Sequence, residues 1–130
     1  MSSETVSCVR AYEQLWRSDV PDEDVDRLLH PDFVAHTPAE KGSGREEFKR
    51  HLRAARVALS DLEAQFEPLL RRGSRIAAHA IVSGTHAAEF LGVAPTGKRL
   101  SWREVHAFNV RDGQIVELGW TPRCSRRTCR

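Results

Sequence analysis

The stretch Trp102-Arg103-Glu104-Val105-His106-Ala107-Phe108-Asn109-Val110-Arg111-Asp112-Gly113-Gln114-Ile115-Val116-Glu117 decides the fold class. Its first part alternates at period two, which sorts Trp102, Glu104, His106, Phe108 and Val110 onto one face and Arg103, Val105, Ala107 and Asn109 onto the other. Asp112-Gly113 is the dipeptide of a tight hairpin, so a strand over 98–110 turns directly into another over 114–121. Upstream, residues 75–86 form a further long strand, with Ile76, Ala78, Ala80, Val82, Gly84 and His86 on one face and His79 on the other. Leu62, Ala64 and Phe66 alternate with polar neighbours before the Arg72-Gly73-Ser74 turn, which adds one more strand.

The first half of the chain reads at helical period. Val6, Val9, Tyr12 and Trp16 form one stripe over 4–18, and Asp19-Val20-Pro21 breaks it. A short second helix follows Pro21, with Val25, Leu28 and Leu29 inward, and His30-Pro31 ends it. Phe33-Val34-Ala35-His36-Thr37 is a short extended segment closed by Pro38, and residues 40–44 are a turn. Ser43 and Glu46 have capping-box spacing, opening a third helix to about Leu59 with Phe48, Leu52, Ala55 and Leu59 buried. Helices followed by hairpin-linked strands predict an α+β domain, three N-terminal helices packed on one face of a curved, mainly antiparallel sheet. Such a sheet wraps its helices as a cone whose mouth is a natural ligand cavity.

At 130 residues the chain suits a single domain, assigned to 1–122. The net charge of +2 misleads, because Arg123, Arg126, Arg127 and Arg130 all lie in a basic tail over 123–130, expected to be disordered. Without that tail the remainder holds 16 basic and 18 acidic residues, which argues against a nucleic-acid-binding face. No apolar run approaches the ~20 residues of a membrane span. The N-terminal Met1-Ser2-Ser3-Glu4 lacks a signal peptide's basic and apolar regions, so a cytoplasmic location is the expectation. Cys8, Cys124 and Cys129 have no zinc-site spacing and read as reduced thiols; no metal site is expected.

No zinc-protease helix, phosphate-binding loop, dinucleotide glycine motif or nucleophile elbow is present. What is left is cofactor-free proton transfer. His106 is a candidate general base, with Glu104 on the same face to orient its ring or raise its basicity. The same spacing also serves a buried hydrogen-bonded pair or a pair on an oligomer surface. His36 is either a ligand contact or a packed, capping residue, and His86, at a strand end, is equally open. His30 and His51 read as helix-end and helix-surface residues, and His79 as a sheet-surface or interface residue.

Gly84-Thr85-His86-Ala87-Ala88-Glu89-Phe90-Leu91-Gly92 with Pro95-Thr96-Gly97-Lys98, the hairpin Phe108 to Glu117, and Pro31-Asp32-Phe33-Val34-Ala35-His36 together resemble SnoaL-like polyketide cyclases and ester cyclases. The likeness runs in order from about residue 9 to residue 121. The resemblance implies the cone-shaped cystatin-like or nuclear transport factor 2-like fold, a homodimer through the outer sheet face, and intramolecular aldol closure of an aromatic polyketide ester without metal or cofactor. It further implies a base on the penultimate strand, where an aspartate is usual and His106 stands here, and a substrate-binding set of His36, His86, Trp16, Trp102, Phe33 and Phe90. The superfamily's range keeps two alternatives open: an isomerase or hydroxylase on a related molecule, or a non-catalytic ligand-binding or dimerisation module.

Overall fold

The computed structural model describes residues 2–17, 20–36, 41–89 and 92–123. Helices α1 (Ser3–Arg17), α2 (Asp22–Leu28) and α3 (Arg45–Ala58) alternate with strands β1 (Leu29–His36) and β2 (Lys41–Ser43). Strands β3 (Glu63–Arg72), β4 (Arg75–Thr85), β5 (Arg99–Arg111) and β6 (Gln114–Arg123) then follow. One six-stranded sheet has the order β2-β1-β6-β5-β4-β3; every neighbouring pair is antiparallel except β1–β6. This is the expected α+β fold, with the helices on the concave face of a curved sheet.

The helices start and dock through identifiable groups. Ser2 Oγ accepts the Thr5 N–H at the start of α1. Glu13, nearly buried on α1, accepts the Phe66 N–H of β3 at 2.7 Å, while Arg10 donates to the Phe66 carbonyl at 2.7 Å. Arg56 of α3 donates to the Leu15 carbonyl at 2.7 Å, which ties α1 to α3. The Tyr12, Phe48, Phe66, Phe108, Ile115 and Leu118 side chains fill the space between helices and sheet. At the β5–β6 hairpin Asp112 and Gly113 have φ of 54° and 76°, the left-handed pair that the dipeptide predicts.

Four local expectations are corrected. His30-Pro31 does not end α2; the helix stops at Leu28, and both residues lie in β1. Pro31 is tolerated there because it falls in the register irregularity between Leu29 and Val34, where no ladder bond needs its missing N–H. Residues 41–43 are not a turn but a short strand paired with β1. The cap of α3 sits one residue later than predicted. Gly44 is the N-cap, and its N–H donates to Glu47 Oε2 at 3.1 Å, while Glu46 pairs with Lys49 instead. Finally β3 runs to Arg72, past the alternating segment, because its outer half pairs with β4 through a bulge between Pro68 and Leu70. The proposed tail falls outside the described residues except for Arg123, which pairs with Arg103 at the end of β6.

Gly84 marks the closest approach of α3's end to the sheet: a Cβ there would lie 2.8 Å from Leu59 Cβ and 3.4 Å from Leu62 Cα. Gly84→Ala should therefore destabilise by about 1–3 kcal/mol in urea unfolding, the usual cost of overpacking. Combined with Leu59→Gly, which removes the Cβ that the new methyl meets, the loss should be smaller than the sum of the two single changes.

Candidate active site

On β5, strand alternation turns Trp102, Glu104, His106 and Phe108 inward, as the sequence predicts. His106 sits opposite Ala78 of β4 and Trp120 of β6, and Glu104 opposite Ala80. The small alanines leave room on the concave face for the imidazole and the carboxylate. The His106 ring has no exposed surface. It stacks on Trp120 (centroids 5.3 Å apart, 11° between planes) and meets the edges of Phe66 at 4.9 Å and Trp16 at 6.1 Å.

Both ring nitrogens are engaged. His106 Nε2 lies 2.8 Å from Glu104 Oε1, and Nδ1 lies 3.0 Å from the Tyr12 hydroxyl of α1. The second carboxylate oxygen of Glu104 accepts the Trp102 indole N–H at 2.7 Å. Burial alone would raise the Glu104 carboxyl, but the His106 hydrogen bond and charge, then Trp102 and the nearby His51, hold it below its ordinary value. Burial presses the His106 imidazole below its ordinary value against the opposing pull of Glu104, and burial pushes the Tyr12 phenol well above its own. At neutral pH these directions agree on an ionised Glu104, a neutral His106 and a neutral Tyr12. A carboxylate only accepts, so the hydrogen-bond network assigns the imidazole hydrogen to Nε2. Nδ1 then accepts from the Tyr12 O–H.

This arrangement divides the expected pair. His106 is enclosed, whereas the Glu104 side chain keeps 12% of its surface. The group of the pair with access is the carboxylate. Trp102 bonds it directly, while Trp16 and Trp120 pack on the His106 ring, with His51 of α3 at 5.9 Å from Trp16 and 5.3 Å from Trp120. Trp16 Nε1 is buried without a hydrogen-bond partner among the described residues.

The remaining expected ligand contacts do not converge here. His36 projects from the opposite face, because alternation along β1 turns Phe33 and Ala35 inward; it lies 3.3 Å from Glu117 Oε2, both half-exposed. His86 is buried, but it stands six residues beyond Ala80 along β4, about 20 Å at ~3.3 Å per residue. There it bridges to Leu59 and places Nδ1 3.2 Å from Thr96 Oγ1. Phe33 is a core residue whose ring packs on Phe48 at 5.4 Å and reaches the site only through it. Phe90 lies outside the described residues.

Three site residues were missed. Tyr12 was read only as core. His51 was read as helix surface, although it stands three residues after Phe48 and four before Ala55 and so shares their stripe. Trp120 follows Leu118 at period two and was legible on that ground. Among the described residues no three His, Cys, Asp or Glu side chains group as metal ligands. No described helix is long and apolar enough to cross a membrane.

An acidic group on β5, fixed by a histidine and an indole inside an aromatic wall on this sheet, is paired with a sequence match that decides the family. The profile described as SnoaL-like polyketide cyclase matches residues 6–121. The chain belongs to the SnoaL-like polyketide cyclase family. Within it, the chain is 31% identical over 97 residues to nogalonic acid methyl ester cyclase from Streptomyces nogalater, covering 72% of each chain. It is 28% identical over 117 residues to the aklanonic acid methyl ester cyclase AcmA from Streptomyces galilaeus, covering 87% of this chain and 80% of the relative. The structure of IdmH from Streptomyces antibioticus superposes with a TM-score of 0.75 at 28% identity, covering 93% of this chain and 91% of that one. A SnoaL-like family member with these relatives supports a cyclase role and an enzyme.

The pair's ionisation makes stability fall in acid. An unfolded His106 takes up a proton near its ordinary value of 6.5, while the folded, depressed imidazole stays neutral. The unfolded state then binds more protons, so stability present above that pH is lost as pH falls toward the folded value. The depressed Glu104 carboxyl has the same sign, beginning near 4.5. Thermal melts followed by circular dichroism should show Tm declining below about pH 6.5. His106→Gln should flatten this first decline and shrink the second, because His106 supplies much of what holds Glu104 down.

Proposed function

We propose that the protein closes a ring in an aromatic polyketide ester by intramolecular aldol addition, without metal or cofactor, with the Glu104–His106 pair as its acid–base unit. The observation that carries this reading is the ionised Glu104 carboxylate, held between the His106 and Trp102 N–H groups on an aromatic-lined concave face. A carbon between two carbonyls is acidic enough for a moderate base. Removing its proton places the electron pair on an enolate; that carbon then attacks a second carbonyl of the same molecule, and the new alkoxide takes the proton back. Substrate class comes from the relatives, two of which are named as methyl ester cyclases of nogalonic and aklanonic acid. Trp102, partly buried beside Glu104, offers flat apolar surface for a fused-ring ligand, while Trp16, expected as a ligand contact, and Trp120 belong to the buried core. Reaction within one substrate molecule needs only positioning and proton transfer, both within the means of these side chains.

We also infer a homodimer through the convex sheet face, in a cytoplasmic protein. Ala77, Ile81, Val105 and Ala107 form a low apolar patch there, and His79 Nε2 is buried among them without a hydrogen-bond partner among the described residues. Light scattering after size exclusion should give a dimer mass, and Ala107→Glu should shift it to monomer; a monomeric parent protein would refute this assembly.

For the reaction, absorbance should report turnover of an anthraquinone β-keto methyl ester by the purified protein. Glu104→Gln should lower turnover about 10²–10⁴-fold with an unchanged far-ultraviolet spectrum, the usual weight of one acid–base group. Unchanged turnover in that variant would remove the pair from the mechanism.

A further inference from the structure

The hydrogen-bond chain that reaches Glu104 begins on a different element, in a residue that the proposed reaction does not use. Tyr12 is fully buried on α1, and its hydroxyl has His106 Nδ1 at 3.0 Å. From there the chain runs through Nε2 to Glu104 Oε1 at 2.8 Å, and from Oε2 to the Trp102 indole at 2.7 Å. Each member has its direction set by its neighbour. The carboxylate must accept, so the imidazole donates from Nε2; the remaining nitrogen must accept, so the phenol donates. An imidazole whose Nε2 already bears a hydrogen bonded to a carboxylate, and whose Nδ1 is filled by a phenol, has no free lone pair for a substrate proton. Glu104 does: each carboxylate oxygen has a second acceptor site beyond the bond it already makes.

We propose that Tyr12 and His106 are positioning residues that hold Glu104 from behind, and that Glu104 is the catalytic residue, the one member of the chain that touches the substrate and takes its proton. In that step the substrate C–H bond breaks and an O–H bond forms on Glu104. The electron pair passes to the enolate oxygen. On ring closure the Glu104 O–H bond breaks and its proton goes to the new alkoxide. His106 keeps its Nε2–H throughout and donates it to the carboxylate, and Tyr12 keeps that tautomer and ring orientation in place. The proposal rests on the cyclase reading for its substrate, but the hydrogen-bond chain itself is read without one.

The titratable groups facing this chain are Tyr12 from α1 and His51 from α3; β3, β4 and β6 present Phe66, Ala78 and Trp120, which do not titrate. A pH–rate profile therefore separates the two bases. With Glu104 as base, kcat/KM should be flat from about pH 5 to pH 8, the acid limb falling below the carboxyl's ordinary range. With His106 as base, the acid limb would follow the imidazole, which burial holds below its ordinary value, and would vanish in His106→Gln, where a Glu104 limb persists.

Three variants and one spectrum make the test, with the anthraquinone β-keto methyl ester as probe. Glu104→Gln should lose the large factor given above. His106→Gln retains an N–H donor for Glu104, and Tyr12→Phe keeps the ring volume. Each should lower kcat by about tenfold, near the weight of one neutral hydrogen bond, with KM little changed. A loss in His106→Gln as large as in Glu104→Gln, with folding kept, or an acid limb of the parent protein that disappears in His106→Gln, would make His106 the base. Either result would overturn this division of roles while leaving the cyclase reading standing. Imidazole nitrogen resonances of ¹⁵N-histidine-labelled protein test the chain with no substrate at all. At neutral pH His106 should show a protonated Nε2 and an unprotonated, hydrogen-bonded Nδ1, and Tyr12→Phe should move Nδ1 toward a free nitrogen's position. A protonated Nδ1, or no response of Nδ1 to Tyr12→Phe, would overturn the proposal even if the ester turns over. A parent protein inert toward the ester but with the expected resonances would fail the substrate assignment and support the chain.

Discussion

Burying a histidine completely requires that both ring nitrogens find partners, and this requirement organises the centre of the molecule. His106 meets it with a phenol from α1 and a carboxylate from its own strand. An unsatisfied buried donor or acceptor would cost about 1–3 kcal/mol, so α1 cannot shift along the sheet without stranding one of these groups. The Glu13 and Arg10 bonds to Phe66 fix the same helix within the same turn. The position of α1 on the concave face is thus held by polar contacts inside an apolar core.

The same constraint gives the site its chemistry. A lone carboxylate in this environment would be driven toward its neutral form by burial. Here the N–H groups of His106 and Trp102 help hold it ionised against burial. The result is an anionic group with accepting capacity left over, beside the Trp102 indole. Family membership supports a cyclase role, and the hydrogen-bond chain shows how this member holds an ionised carboxylate on β5.

The convex face follows a different logic. Period-two alternation sends His36, His79 and Glu117 outward on the strands whose other faces form the core. Ala77 and Ala107 keep this surface low near His79, so a second sheet can approach closely.

Much of this was legible in the linear chain. The period-two run from Trp102 to Val110 put Glu104 and His106 on one inner face, and Asp112-Gly113 announced the hairpin, because both signals are local properties of backbone and side-chain direction. The helical stripe of Val9, Tyr12 and Trp16 was equally plain, yet nothing in it marked Tyr12 as more than core. Its role depends on a partner 94 residues away, and only the packing of α1 across β5 makes that pair. Strand parity, the same that turns Phe33 and Ala35 inward, set His36 outward, whereas only the tertiary structure placed His86 just beyond the end of β4, away from the site. Local periodicity determines which face a residue occupies. Which groups meet on that face is decided by register and helix docking, which depend on contacts between distant parts of the chain.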